Sequence, residues 1–494
     1  MLPRPGMTTI PMRLQEAWRV NDMRRLIFLA YAMALASCMV GPDYRRPAVD
    51  APQAFRYEEK DARDAVDADW WKAFDDPTLD ALIGEALARN LSVKIAVENI
   101  EQAAAVLTQV RSPLFPQVDY SGAGQRERVS ERGATPLASY IPNPRNSYQL
   151  LAGASWEIDL WGKIRRLSEA AKADVLAANE ARRGVILSLV ASVANYYIQL
   201  RGLDAQLEIA GRTLAAYEES YKLFKLQYEH GQVAQMTVEQ ARSQYQTAAK
   251  AIPQIELQIA QVEHALSILL GRNPGPIARG KSLLELGSPL VPSGLPSELL
   301  ERRPDIAQAE QRLISANAQI GAAKALYFPS ISLTGAFGAQ SSQLSDLFKG
   351  TARVWSYAGS FTGPIFTAGA ISGQVRQAEA AERAALLDYQ NAILNAFSDV
   401  ENALASRRKL AEQLQAEQGL VDSLKEYDRL AWLQYNGGYT PYLTVLNAES
   451  QLFPAELSYA ETKTSLLTAY VNIYQTMGGG WVTRAEEMTK SSKE

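Results

Sequence analysis

Leu226-Gln227-Tyr228-Glu229-His230-Gly231-Gln232-Val233-Ala234-Gln235-Met236-Thr237-Val238 returns as Leu433-Gln434-Tyr435-Asn436-Gly437-Gly438-Tyr439-Thr440-Pro441-Tyr442-Leu443-Thr444-Val445, and its identical residues lie 207 positions apart. The same offset carries Ala241, Ser243 and Gln244 onto Ala448, Ser450 and Gln451, and extends to Gly162 against Gly369 and Gly271 against Gly478. An ungapped match over that span means two copies of one structural unit. Each copy sets a glycine between stretches rich in Ala, Leu and Gln, which predicts a tight turn at the tip of a helical hairpin.

Outward from the tips, no proline interrupts residues Ile164 to Glu229 or Ile371 to Asn436. Apolar side chains recur there at helical spacing, Val190, Ala191, Ala194, Tyr197 and Ile198 in one copy, Ile393, Ala396, Phe397, Val400, Ala403 and Leu404 in the other. At 1.5 Å per residue each helix is about 100 Å long. Such helices pack side by side in a coiled-coil-like wall, and the many alanines permit close approach. The returning arms, Val233 to Leu270 and Tyr442 to Met477, each hold one proline, Pro253 and Pro454, where a kink is expected.

Each copy also carries two stretches of period-two alternation. Tyr148, Leu150, Ala152, Ala154, Trp156, Ile158 and Leu160 share one face, with Gln149, Gly153, Ser155, Glu157 and Asp159 on the other. In the second copy Ile331, Leu333, Phe337 and Ala339, then Trp355, Tyr357, Phe361 and Ile365, alternate with serine and threonine. Strands are expected at about 117–127, 147–160, 330–340 and 354–366, joined in pairs by polar loops. Four strands cannot close a barrel in lipid, where each unpaired edge group costs several kcal/mol, so several chains must share one barrel. The aromatic residues Tyr148, Trp156, Trp161, Trp355 and Tyr357 fit interfacial girdles. A soluble sandwich with one buried face is the alternative.

Composition narrows the chemistry. The 494-residue chain is 47% hydrophobic and carries a net charge of −4, which points to neither nucleic acid nor an acidic substrate. His230, His264 and a single cysteine cannot assemble a usual zinc or haem site. No Ser/His/Asp set, Walker loop or helix-opening GxGxxG is present, so an enzyme would rest on carboxylates alone.

Near the start, Met23-Arg24-Arg25 precedes an apolar run from Leu26 to Ala36, which suits a signal-peptide core and is too short to span a bilayer. It closes on Leu35-Ala36-Ser37-Cys38, similar to the lipobox of bacterial lipoproteins. Residues 1–37 are therefore expected to be a leader, from Met1 or from Met23, and Cys38 the acylated first residue of the mature chain. Two or three acyl chains would anchor it. A secreted protein with an incidental thiol is the alternative. Residues 38–68 read as an extended arm, beginning Met39-Val40-Gly41-Pro42-Asp43-Tyr44-Arg45-Arg46-Pro47. Trp70 and Trp71 then lead into a helix capped by Asp76 or Thr78 and are expected to pack rather than to bind a ligand. The first copy spans 69–272, a Pro/Gly-rich linker 273–302, the second copy 303–481 and a polar tail 482–494.

Leu35 to Cys38, Val40 to Pro47, Trp70 to Leu82, Gly294 to Ile306, the strand entries Phe115-Pro116 and Phe328-Pro329, and the two tips together resemble the outer-membrane factors of tripartite efflux systems, the TolC-like family, in its OprM/NodT-type lipoprotein branch. The resemblance implies an α+β membrane protein: a homotrimer with a twelve-stranded transmembrane β-barrel, four strands per chain, continued by a long α-helical barrel. It implies a passive duct for drugs or other small molecules that works with a periplasmic adaptor and an inner-membrane pump of the resistance-nodulation-division (RND) type. Such a duct is no enzyme and needs no cofactor or metal beyond the N-acyl and S-diacylglycerol lipid on Cys38.

Carried over from the family, the periplasmic gate falls on Leu443 and Asn447, and the closed state is expected to bring together Tyr435, Leu443 and Asn447 of the second tip with Met236, Thr237 and Gln240 of the first. Asn447 stands where the family pattern has an aspartate. Gly231 and Gly438 mark the tips where the adaptor would dock. A type I protein-secretion duct and an envelope-tethering lipoprotein are the alternatives. The lipobox and the Gly294 to Ile306 segment favour small-molecule export, and a tether has no use for paired alternating strands.

Overall fold

The computed structural model describes residues 39–50, 52, 54–57, 69–133, 138, 140–289, 291 and 296–478. Cys38, the expected leader 1–37 and the tail 482–494 lie outside them. The chain runs α1 (Pro77–Arg89), α2 (Leu91–Arg111), β1 (Gln117–Glu127), β2 (Arg145–Ile158), α3 (Lys163–Glu229), α4 (Gln235–Leu269), α5 (Pro296–Arg302), α6 (Pro304–Ala325), β3 (Ser330–Ser341), β4 (Arg353–Thr362), α7 (Ala370–Asn436) and α8 (Tyr442–Thr476).

The duplication is visible in element lengths. Helices α3 and α7 have 67 residues each, α4 and α8 have 35 each, and all four boundaries keep the 207-residue offset. Gly162, Gly231 and Gly271 have positive φ, and so do their counterparts Gly369, Gly438 and Gly478. Upstream of the strands the offset is different, since the loop 128–144 is six residues longer than its equivalent 342–352. Helices α4 and α8 continue through Pro253 and Pro454.

The chain divides into two compact units. One comprises residues up to Pro47, Gln102–Val175 and Gln311–Leu386 and holds a four-stranded antiparallel sheet in the order β1-β2-β3-β4. The central pairing joins the two copies: Ala152 faces Phe337 and Trp156 faces Leu333. On the same face Tyr120 opposes Ala152, Phe337 opposes Trp355, and Ile331 opposes Phe361. This apolar face is exposed, with Tyr120, Phe337, Trp355, Tyr357 and Phe361 all open to the surroundings. Among the described residues, β1 and β4 each pair on one side only.

Strand β2 starts two residues before the expected 147, where Arg145 pairs with Glu127, and stops two before 160, because Asp159 turns back to cap α3, accepting from the amides of Ile164 (3.0 Å) and Arg165 (2.9 Å). Strand β4 ends at Thr362 rather than 366, where Gly363-Pro364 follows and proline has no amide to donate. Trp161 lies on that capping turn, donating to Pro329 O (2.8 Å) and stacking on Phe328, and Trp156 donates to Leu114 O (3.0 Å). These two are therefore packed at the strand bases, whereas Trp355 and Tyr357 stay exposed and stacked on each other.

The arm is tied down in the same unit. Val40 donates to Trp161 O, and the buried Arg166 guanidinium reaches Val40 O, Asp43 (2.7 Å) and Glu169 (2.9 Å).

The other unit comprises Ala48–Glu101, Leu176–Glu310 and Leu387–Glu494. Its core is the apolar stripe of α3, from Ile186 to Ile198, packed with Leu79, Ile83, Leu266, Val400 and Leu467. Trp70 and Trp71 are buried in it, Trp70 stacked on Tyr474 with 5.1 Å between ring centroids. Asp76 caps α1 through Thr78 N (2.9 Å) and also accepts from Tyr197 Oη (2.6 Å) and Lys281 N (3.1 Å), which fastens the linker onto α3. Burial pushes the Tyr197 phenol well above its usual range. Gly280 has to be glycine here, since a Cβ would sit 2.1 Å from Asp76 Oδ1. No helix among the described residues is long and apolar enough to cross a membrane, a statement that does not bear on the sheet.

Candidate functional site: the paired hairpin tips

Both tips close with the same hydrogen bonds. In the first, Gly231 N donates to Tyr228 O (2.9 Å) and Gln232 N to Gln227 O (2.8 Å). In the second, Gly438 N donates to Tyr435 O (2.9 Å) and Tyr439 N to Gln434 O (2.9 Å). This is the Schellman arrangement, which requires a left-handed residue after the helix; φ is +72° at Gly231 and +76° at Gly438. Nothing lies within 4 Å of a Cβ built at either glycine, so within the chain handedness, not space, demands them.

Behind the turns, Phe224 of α3, Val238 and Ala241 of α4, Ala431 of α7, and Tyr442, Val445 and Ala448 of α8 form a small core of their own. Aromatic rings join it: Phe224 lies 4.2 Å from Tyr442, and Tyr435 lies 5.8 Å from Tyr442 and 6.0 Å from Trp432, centroid to centroid. Contacts at these spacings add about 0.5–1.5 kcal/mol per pair beyond burial. Burial raises the phenol pKa of both Tyr435 and Tyr442.

Of the expected gate residues, Tyr435 is half-buried in this aromatic cluster, joining the second tip to α3. Leu443 and Met236 are exposed, at 51% and 68%. Asn447 is also exposed, its carbonyl accepting from Ser450 Oγ and Gln451 Nε2. Thr237 and Gln240 are half-buried. Helical spacing puts Leu443 and Asn447 on one face of α8, opposite the stripe of Tyr442, Val445 and Ala448 that holds the tip together. His230 is exposed, with Nδ1 2.9 Å from Leu226 O.

Sequence reading missed a group of ionisable residues beneath the aromatic cluster. Glu449 is 7% exposed and its Oε2 has no hydrogen-bond partner; the same holds for the buried Asp428 Oδ1. Burial and the nearby Asp428 raise the Glu449 carboxyl to about 7, with the Trp432 indole pulling the other way. Asp428 is raised as well, by burial and then by Glu456. Glu456 is compensated, with Arg212 and Lys425 each 3.2 Å away. A signal was present, because Glu449 and Glu456 continue the inward stripe of Tyr442, Val445 and Phe453 at heptad spacing, where a solvent face would put no carboxylate.

The description "outer membrane efflux protein" belongs to the family model that matches residues 82–272 and 295–479. The toluene efflux pump outer membrane protein TtgC of Pseudomonas putida is 36% identical over 462 residues, covering 91% of this chain and 94% of that protein. The cation efflux system protein CusC of Escherichia coli (strain K12) is 33% identical over 461 residues, covering 92% and 99%. The crystal structure of the Campylobacter jejuni CmeC outer membrane channel superposes with a TM-score of 0.85 at 26% identity, covering 92% of this chain and 98% of that one.

Proposed function

This chain belongs to the outer membrane efflux protein family, and from that premise we propose that it is the exit duct of a tripartite efflux pump, a homotrimer in which three four-stranded sheets close one twelve-stranded barrel. The observation that carries this reading is the sheet: an apolar face exposed from Tyr120 to Phe361 and two strands paired on one side only. In water that face would drive aggregation, and in lipid those edges would each leave unsatisfied amides and carbonyls. Lipid covers the face, and closure with two further copies pairs the edges.

The duct performs no bond chemistry. It supplies a water-filled path, and the energy comes from an inner-membrane pump of the RND type through a periplasmic adaptor. Acyl chains on Cys38 would hold the arm at the outer membrane, and the Arg166 clamp would keep that anchor in register with the base of the sheet. Closure at the periplasmic end falls to the tips, with Leu443 and Asn447 of each copy toward the axis, backed by Met236, Thr237 and Gln240, and Tyr435 setting the angle of the hairpin. With Asn447 in place of an acid, this ring is apolar and amide-lined rather than anionic. The adaptor would meet the turns around Gly231 and Gly438. Relatives named for toluene and for cations carry dissimilar cargo on the same scaffold, which puts substrate choice upstream in the pump.

Native mass spectrometry and planar-bilayer recording of the purified protein test the proposal together. A trimer giving discrete conductance steps is expected; a monomer that leaves the bilayer silent would refute it.

A further inference from the structure

Between α3, α7 and α8, one stripe from each helix lines a cavity of about 500 Å³ beneath the tip core. Its apolar walls are Tyr217, Trp432 and Phe453, and its polar groups are Asp428, Glu449 and Glu456 with Arg212 at the rim. The charges do not balance. Arg212 and Lys425 are both engaged by Glu456, and Glu219 on α3 adds a further acid at the exposed edge. Among the described residues no cation pairs with Asp428 or Glu449, which share the cavity, and each has a buried oxygen with no hydrogen-bond partner. Glu449 is more than nine-tenths buried. The Trp432 indole is a hydrogen-bond donor to Glu449 but brings no full charge, and a buried anion without a counter-charge is costly, a cost that a bound cation relieves.

We propose that this cavity is a binding site for a small, flat organic monocation bearing N–H donors, its charge held between Glu449 and Asp428 and its ring against Trp432 and Tyr217. The two acceptor oxygens take the N–H groups, and the aromatic wall adds the attraction of a π face for a cation in a desolvated place. A cavity of this size accepts a two- or three-ring heterocycle, and apolar walls with a few convergent polar groups are the usual make-up of a small-molecule pocket. The site is lined by residues of one chain. Occupancy would bridge α7 and α8 directly behind Tyr435 and Tyr442, so a bound cation would stiffen the second tip.

The test uses full-length purified protein in neutral detergent and the fluorescent cation 9-aminoacridine, with acridine as its uncharged counterpart at pH 8. Saturable binding at one site per chain is expected at pH 8, at least tenfold weaker for Glu449→Gln and weakened for Asp428→Asn, with acridine failing to compete. Binding should also weaken at pH 5.5, where Glu449 takes up a proton. Equal affinity in wild type and both variants, effective competition by acridine, or no saturable binding would each overturn the proposal. Glutamine is isosteric and removes an unpaired buried charge, so loss of fold is not expected; circular dichroism of each variant verifies this.

Discussion

Glu449→Gln keeps the shape of the side chain and removes its charge. Burial and Asp428 lift the Glu449 carboxyl from 4.5 to about 7. A folded pKa above the unfolded one means that the fold resists the ionised form. Glu449 therefore costs nothing below pH 4.5, destabilises increasingly as the pH rises toward 7, and exerts its full effect above that. At 1.36 kcal/mol per pKa unit the displacement amounts to about 3 kcal/mol per chain, an upper figure because the cavity admits water. With an unfolding entropy near 2.1 cal/mol/K per residue, that energy moves the melting temperature of a chain this long by about 3 °C.

Thermal unfolding of the purified protein, wild type and variant, at pH 5 and pH 8.5 measures this difference. The variant should melt about 3 °C higher at pH 8.5 and less than about 1 °C higher at pH 5. An equal shift at both pH values, or a variant that melts lower at pH 8.5, would show that Glu449 is stabilised as an anion and that the reasoning is wrong.

Tyr197→Phe leaves Asp76 short of its closest donor in a buried place and should cost about 1–3 kcal/mol, read as a lower melting temperature. Gly438→Ala forces a side chain into the left-handed region, worth about 1 kcal/mol; faster hydrogen exchange confined to the second tip is the expected sign, and uniform exchange would contradict it. Phe337→Arg puts a charge on the bare apolar face opposite Trp355 and should cost about 2–4 kcal/mol if that face meets lipid, measured as loss of heat-stable trimer on a semi-native gel. Arg166→Met cuts the tie to Asp43 and Val40 O, so protease should clip the arm before Pro47 faster while the remainder stays intact.

The helices and the turns were legible because duplication makes each signal appear twice. Gly162, Gly231 and Gly271 announce their handedness through Gly369, Gly438 and Gly478, and a proline-free run rich in Ala and Leu with apolar residues at helical spacing leaves little choice but helix. The strand faces were legible from period two, but the strand ends were not, since Asp159 and Pro364 act through capping and a missing amide rather than through hydropathy. At the tips, the exposed face of Leu443 and Asn447 followed from resemblance plus helical spacing. The cavity behind it did not, because Asp428 and Glu449 lie on different helices and only packing brings them together. Tyr197, Asp76 and Gly280 are likewise far apart in the chain and meet only in the fold.

The equal lengths of the twin helices restrict how such a chain can change. One added residue in α3 would turn everything beyond it by roughly 100° and displace it by about 1.5 Å along the axis, so the inward stripe would swing away from α8 while α7 kept its place. Insertions are absorbed cheaply only where nothing downstream depends on phase. The six extra residues of the loop 128–144 occupy such a place. A loop that joins two strands can lengthen without disturbing any helix's phase, whereas the long helices are held to a fixed count.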